Sequence, residues 1–204
     1  MSEALSPTFT AFAGERRLAT GSLAEVAIAV KIASGSMTEP VLVFEDATGQ
    51  SIDLDLRGSH RDIVARLPQP PAAVPVAEAE PRGRGRPKLG VVAREVTLLP
   101  RHWEWLNARP GGASVALRKL VEDARRANAE KDRLRAARDA AYHVMSAMAG
   151  DRPGFEEASR ALFANDDARF AQLVENWPAD IRDHLRRMAA VAFGSHAGTD
   201  VPAG

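Results

Sequence analysis

Ser114-Val-Ala-Leu-Arg-Lys-Leu-Val-Glu-Asp-Ala-Arg-Arg-Ala127 opens the stretch that decides the fold, and its pattern runs on to about Ala149. Leu117, Leu120, Val121, Ala124, Ala127, Leu134, Ala141, Met145 and Met148 recur at three- and four-residue steps, the spacing of one face of a helix. Lys131 and Arg138 fall inside that stripe and argue against a clean coiled-coil seam. Gly150-Asp-Arg-Pro-Gly154 ends the helix. Beyond it the pattern predicts helices over Phe155–Phe163 and Ala168–Asn176, and a third that has Pro178 near its first turn and stops before Gly194. Asn165 and Asp166 suit the cap of the middle one. Residues 114–192 thus read as a helical region of one long and three shorter helices, and residues 195–204 as a disordered tail.

Upstream, residues 8–67 read as a small α/β domain. Phe9–Phe12 and Arg17-Leu18 suggest a short hairpin around Ala13-Gly14. Ser22 is the expected N-cap of a helix from Leu23 to Ala33, with Glu25 three residues on to complete a capping box. Val41–Phe44 is a continuous apolar strand. Gln50–Arg57 alternates, Ile52, Leu54 and Leu56 on one face and Ser51, Asp53, Asp55 and Arg57 on the other, which predicts a second strand after the Thr48-Gly49 turn. A helix over Ser59–Leu67 closes the domain. The fold class expected is α+β: this unit, a proline-rich linker, then a strand followed by a mostly helical C-terminal half.

The linker spans residues 68–93. Its first part, 68–81, holds five prolines in fourteen positions, a composition that favours an extended spacer. Its second part is Arg82-Gly-Arg-Gly-Arg-Pro-Lys88, and charge gathers there and beyond. The whole chain balances 27 basic against 27 acidic residues, yet residues 82–138 hold 15 against 6, between blocks of 6 against 11 and 6 against 10. A basic centre between acidic flanks is the asymmetry of a polyanion-binding protein, and nucleic acid is the polyanion that rewards clustered arginines by releasing counterions. Arg84-Gly85-Arg86-Pro87 matches the core of an AT-hook. In such a segment Gly85 lets the backbone approach the minor-groove floor, Arg84 and Arg86 run along it, and Pro87 turns the chain away. Arg82 and Lys88 would reach phosphates.

Residues 94–127 add a second element: a strand from Arg94 to a proline, a helix containing His102-Trp-Glu-Trp105, a Gly111-Gly112 turn, and a helix opened by Ser114. That order resembles a ribbon-helix-helix module. The resemblance implies a homodimer whose paired strands enter the major groove, with backbone N–H groups at Gly112, Ala113 and Ser114 anchoring a phosphate. Arg94 would face the groove, and Arg118 and Lys119 would reach neighbouring phosphates. The helix between Pro100 and Pro110 is short for that family, and Glu95 would face phosphate in one ribbon register. A strand–helix–helix packed within one chain remains the other reading of these residues.

Other chemistry finds little support. The absence of cysteine excludes a disulfide framework and thiolate metal sites, and fits a reducing cytoplasm. No secretory signal is visible at the N-terminus, and no apolar run approaches the ~20 residues of a membrane span. The histidines lack metal-ligand spacing, and no nucleophile elbow, Walker loop or dinucleotide fingerprint occurs, so neither metal, cofactor nor enzymatic activity is expected. Glu45, Asp46, Asp53 and Asp55 cluster around one turn, and read as the polar face of a half-exposed hairpin. Trp103 and Trp105, two apart on a helix, point to different faces.

Taken whole, residues 8–192 resemble a bacterial family of uncharacterised proteins, a domain of unknown function. The likeness rests on Asp53-Leu-Asp-Leu-Arg-Gly58, Gly85-Arg-Pro-Lys-Leu-Gly90, Arg94-Glu-Val-Thr-Leu-Leu-Pro-Arg-His-Trp-Glu-Trp-Leu106, Pro110-Gly-Gly-Ala-Ser-Val-Ala-Leu-Arg-Lys-Leu120 and Trp177-Pro-Ala-Asp-Ile-Arg-Asp183. No activity comes with it. The residues point to a cytoplasmic DNA-binding regulator or nucleoid-associated factor. The alternative is a protein–protein interaction module whose basic helix pairs with acidic segments.

Overall fold

The computed structural model describes residues 7–35, 37–68, 92 and 94–194. Among them the elements run β1 (Phe9–Ala13), β2 (Arg16–Gly21), α1 (Leu23–Ala33), β3 (Val41–Glu45), α2 (His60–Arg66), α3 (Pro100–Asn107), α4 (Gly112–Ala149), α5 (Phe155–Phe163), α6 (Asp167–Leu173) and α7 (Ala179–Ala192). The chain forms an α+β fold: a three-stranded antiparallel sheet in the order β2-β1-β3, then a mostly helical C-terminal half. Contacts divide it into two compact units, residues 1–67 with 130–204, and residues 68–129.

In the first unit the sheet is buried on both faces, which is why every residue of β1 is buried. Phe9, Ala11 and Val43 pack against Val26 and Val30 of α1. On the other face Phe12 and Phe44 join Ala141, Val144 and Met145 of α4 and Ile181 and Leu185 of α7 in the larger core. Fully burying each of these aromatic side chains contributes about 1.5–3 kcal/mol. α1 starts as its sequence predicts: the Ser22 side chain accepts from the Glu25 backbone N–H, and the Glu25 carboxylate accepts from Ser22 N at 2.8 Å. Ser59 and Asp62 build the same box at the start of α2.

Residues 50–57 differ from expectation. Their faces alternate as predicted, with Ile52, Leu54 and Leu56 packed on the α1 side of the sheet. Yet no strand forms: one bridge links Phe44 to Ser51, Ile52 N donates to Val43 O at 2.8 Å, and the segment then leaves the ladder. Alternation fixes which side chains are covered and leaves open whether a neighbour stays close enough to pair.

The turn after β3 is fastened to α4. Gly49 has φ +66°, and a Cβ there would overlap the Ala140 carbonyl, so only glycine allows the turn to lie against the helix. His143 on α4 contacts the Thr48 carbonyl at 3.0 Å. α7 is tied in at its start, where Asp180 accepts from the Arg17 backbone N–H of the edge strand at 2.8 Å. Trp177, just before it, is buried and donates its indole N–H to Pro153 O at 3.1 Å.

In the second unit, residues 94–99 form no regular element, so the strand expected there is absent. A ribbon of the kind expected takes its partner strand from a second chain. α3 begins with Pro100 at its first turn, buries Leu106, and holds Arg109 over the Trp105 ring at 3.9 Å from its centre. Gly111 and Gly112, with φ of +86° and +73°, turn the chain into α4.

Candidate functional site

The expected DNA-binding residues lie in two places. Arg82, Arg84, Gly85, Arg86, Pro87 and Lys88 are outside the described residues. Arg94, Ser114, Arg118 and Lys119 are all exposed. Ser114 is not a helix cap, as its sequence suggested. The two glycines complete the turn earlier, α4 starts at Gly112, and Ser114 sits in its first turn, where its carbonyl accepts from Arg118 Nε at 3.2 Å. The Gly112 N–H is taken by Arg109 O at 2.9 Å, which removes one of the three backbone donors expected to face a phosphate.

None of the 28 residues from Gly112 to Asp139 is buried. At 100° per residue Arg118, Lys119, Arg125 and Arg126 share one side of α4, while Leu117, Leu120, Val121 and Ala124 share the opposite one. Leu120 and Val121 are 46 % and 58 % exposed. Glu122 lies amid the basic side, with Oε2 3.0 Å from Arg125 and Oε1 3.6 Å from Arg126. Both arginines stay open to water, and such pairs exchange readily for other anions.

A different constellation lies within the first unit. A cleft of about 670 Å³ opens between the end of β3, α4 and α7. Pro7, Ala47, Ala136, Ala137, Met188 and Val191 give it apolar walls. Asp46 and His184 line it, and Arg133 and Arg187 supply positive charge. His184 is 2 % exposed and stacks edge-on against Phe12 at 5.3 Å between ring centres. Its Nδ1 is 2.9 Å from an Arg187 Nη2. A guanidinium has no lone pair to offer, so Nδ1 accepts, and the neutral ring carries its proton on Nε2. That Nε2–H faces Asp46 Oδ1 at 3.7 Å, beyond hydrogen-bond range, and both atoms are buried without a hydrogen-bond partner. The other Asp46 oxygen accepts from Thr10 Oγ1 at 3.1 Å, and that hydroxyl lies 3.1 Å from Thr20 Oγ1.

Burial pushes the His184 imidazole down to about 4, helped by the positive charges of Arg187 and Arg17. Burial also lifts the Asp46 carboxyl above its usual range, against the Thr10 hydrogen bond and the Arg187 charge. At neutral pH the His184 ring is therefore neutral, its Nε2–H buried beside Asp46 Oδ1.

The acidic cluster read around the Thr48-Gly49 turn separates into different roles. Glu45 holds the Thr48 hydroxyl at 2.7 Å. Asp55 takes a bidentate hydrogen bond from Arg57, which holds its carboxyl well below the usual range. Only Asp46 turns into the cleft. Among the described residues no three His, Cys, Asp or Glu side chains gather to hold a metal ion. The pairing of Asp46 with His184 joins residues far apart in the chain. The one local signal was an imidazole on the apolar stripe of α7, among Ile181, Leu185 and Met188.

Among the described residues no helix is long and apolar enough to cross a membrane. The fold is thus a two-faced sheet embedded in helices, with a basic, unburied helical stretch in the other unit. From residue 8 to residue 189 the chain matches the family described as "Uncharacterized protein conserved in bacteria" (DUF2239), and it belongs to that family. No curated protein and no solved structure matches it.

Proposed function

We propose that this chain is a cytoplasmic DNA-binding protein, a transcriptional regulator or nucleoid-associated factor, that acts as a homodimer through its central basic segment. The supporting observation is the side of α4 that carries Arg118, Lys119, Arg125 and Arg126 with no buried residue between Gly112 and Asp139. A helix face of that composition favours phosphates, because each neutralised phosphate releases a counterion. The opposite side, with Leu120 and Val121 exposed and Leu117 half-buried, favours self-association, and a ribbon-helix-helix-like pairing of residues 94–99 across two chains would use the same contact. In this reading Arg84, Arg86 and Lys88 enter the minor groove as an AT-hook, and Arg94, Arg118 and Lys119 hold phosphates. Nothing in residues 94–99 except Arg94 reads a base edge well, so the recognition is mainly of groove shape and charge.

The test is fluorescence anisotropy of the full chain with A/T-rich and G/C-rich duplexes at low and moderate salt. Binding is expected to prefer A/T-rich duplexes and to fall on the order of a thousandfold across that salt range for six or more phosphate contacts. Arg84→Ala/Arg86→Ala should remove the A/T preference. Arg118→Ala/Lys119→Ala should weaken both duplexes alike and flatten the salt dependence. No binding at low salt would overturn the reading and leave the basic side of α4 as a surface for acidic protein segments.

A further inference from the structure

We propose that the N-terminal part of α4 pairs with the same part of a second copy of this chain, parallel and in register over Ala113–Ala127. The inference rests on the homodimer of the preceding reading and adds the contact surface and its direction, neither of which DNA binding decides.

The surface is an apolar stripe. At 100° per residue Ala113, Leu117, Leu120, Val121, Ala124 and Ala127 fall on one side of the helix. Among the described residues of this unit only Leu106 is buried, and Leu120 and Val121 are 46 % and 58 % exposed. Lys131 takes the next place on the stripe and ends it, which leaves a seam of about four turns. A narrow apolar stripe bordered by charge is the form of a helix–helix contact.

Charge selects the occupant and its direction. Arg118 and Arg125 border the stripe on one edge, Asp123 and Glu130 on the other, and all four are exposed. Lys119 and Arg126 point further outward. Arg125 and Glu130 also pair within the helix, with Glu122 and Arg133. A face that is basic along one edge and acidic along the other is complementary to itself. With a two-fold axis along the helices, the basic edge of each copy meets the acidic edge of its partner. An antiparallel pair would set arginine edge against arginine edge. Exposed pairs of this kind add little affinity, and their sign chooses the orientation. The parallel arrangement also gathers both α4 N-termini at one end, which suits a ribbon shared by residues 94–99 of the two copies.

The chain contains no cysteine, so single introduced cysteines report the arrangement directly. In a parallel pair each position meets its own copy across the seam, close enough for a disulfide. Ala113→Cys and Ala127→Cys, each in the full chain at about 100 µM, should therefore oxidise to covalent dimers. Both should do so at least about fivefold faster than Ala129→Cys, which points outward and measures random collision. Slow self-cross-linking of both, with a fast cross-link between positions 113 and 127 when the two variants are mixed, would overturn the proposal in favour of an antiparallel pair. No cross-link above the Ala129→Cys rate would overturn it too, and leave the stripe to a different protein. Asp123→Lys should weaken self-association in sedimentation at low salt by about three- to tenfold. Unchanged association would overturn the meeting of opposite edges. The DNA-binding reading fails separately: no DNA binding in anisotropy, with both self-cross-links kept, would strike that reading and leave the parallel pair standing.

Discussion

The two ends of α4 are one helix held by different forces. From Ala140 to Ala149 it buries Ala140, Ala141, Val144, Met145 and Ala149 in the larger core. From Gly112 to Asp139 no residue is fully buried, although Ala137 packs against that core and the Arg138 Nε is covered. The C-terminal part is helical because packing demands it. The N-terminal part relies on strong helix formers, Ala, Leu, Arg, Lys and Glu, and on side-chain pairs one turn apart, such as Arg125 and Arg126 with Glu122 and Arg133 with Glu130. Over residues 112–129 the helix keeps its apolar stripe and its arginines largely unburied, whereas its C-terminal end is built into the core.

The sharpest break of that contrast is truncation of a large side chain on each part. Met145→Ala, at a fully buried position, should cost about 2–5 kcal/mol in denaturant unfolding. Leu120→Ala, 46 % exposed, should change unfolding of the dilute chain by less than about 0.5 kcal/mol while weakening self-association in sedimentation. Similar losses from both would mean that the N-terminal part belongs to a core just like the rest.

Acid acts on the packed part through His184. Its folded-state value of about 4 lies below the ordinary ~6.5 of an unfolded histidine. Below about pH 6.5 the unfolded chain therefore takes up a proton that the folded chain refuses, and stability falls as the pH drops toward 4, by about 3 kcal/mol in all. Asp46, raised in the fold, works with the opposite sign and offsets part of the loss at the acid end. His184→Gln should flatten the stability profile between pH 6.5 and 4, while the helicity of residues 112–139 stays unchanged across it. A wild-type profile already flat there would show that the imidazole is not held neutral by burial.

Alanine to glycine is the gentler comparison. Ala127→Gly should cost about 1 kcal/mol of local helix stability and speed amide exchange between Gly112 and Asp139. Ala141→Gly, at a fully buried site, should lower the global transition instead. If Ala127→Gly lowered the global transition equally, the two parts would unfold as one.

How far the sequence is legible follows the same division between local and distant causes. Helix α1, its Ser22–Glu25 box and the limits of α5 are readable because capping and apolar spacing act over a few residues. Residues 50–57 show their alternation, but strand pairing depends on a neighbour that alternation does not specify. α4 starts two residues ahead of the expected Ser114, since Gly112 adopts a turn conformation yet already opens the helix. The cleft is invisible in the sequence. Asp46 looks like one acid among four beside a turn, and His184 like one scattered histidine, and only the packing of α7 on the sheet brings them together.

The smallest expected effect on stability is also the one that best separates folding from function. Glu122 interrupts the basic side of α4 and pairs with two exposed arginines. Exposed pairs of this kind contribute about 0.3–0.5 kcal/mol, so Glu122→Gln should barely move unfolding. On DNA its effect should have the opposite sign and be larger. The substitution removes a negative charge that repels phosphate and frees Arg125 and Arg126, so affinity at low salt should rise several-fold and the salt dependence should steepen by about one phosphate. Unchanged affinity in Glu122→Gln, alongside lost affinity in Arg118→Ala/Lys119→Ala, would confine the contact to the first turns of α4. Weaker binding would mean that Glu122 orders the two arginines for their partner, and the basic side would then act through a fixed geometry rather than through charge alone.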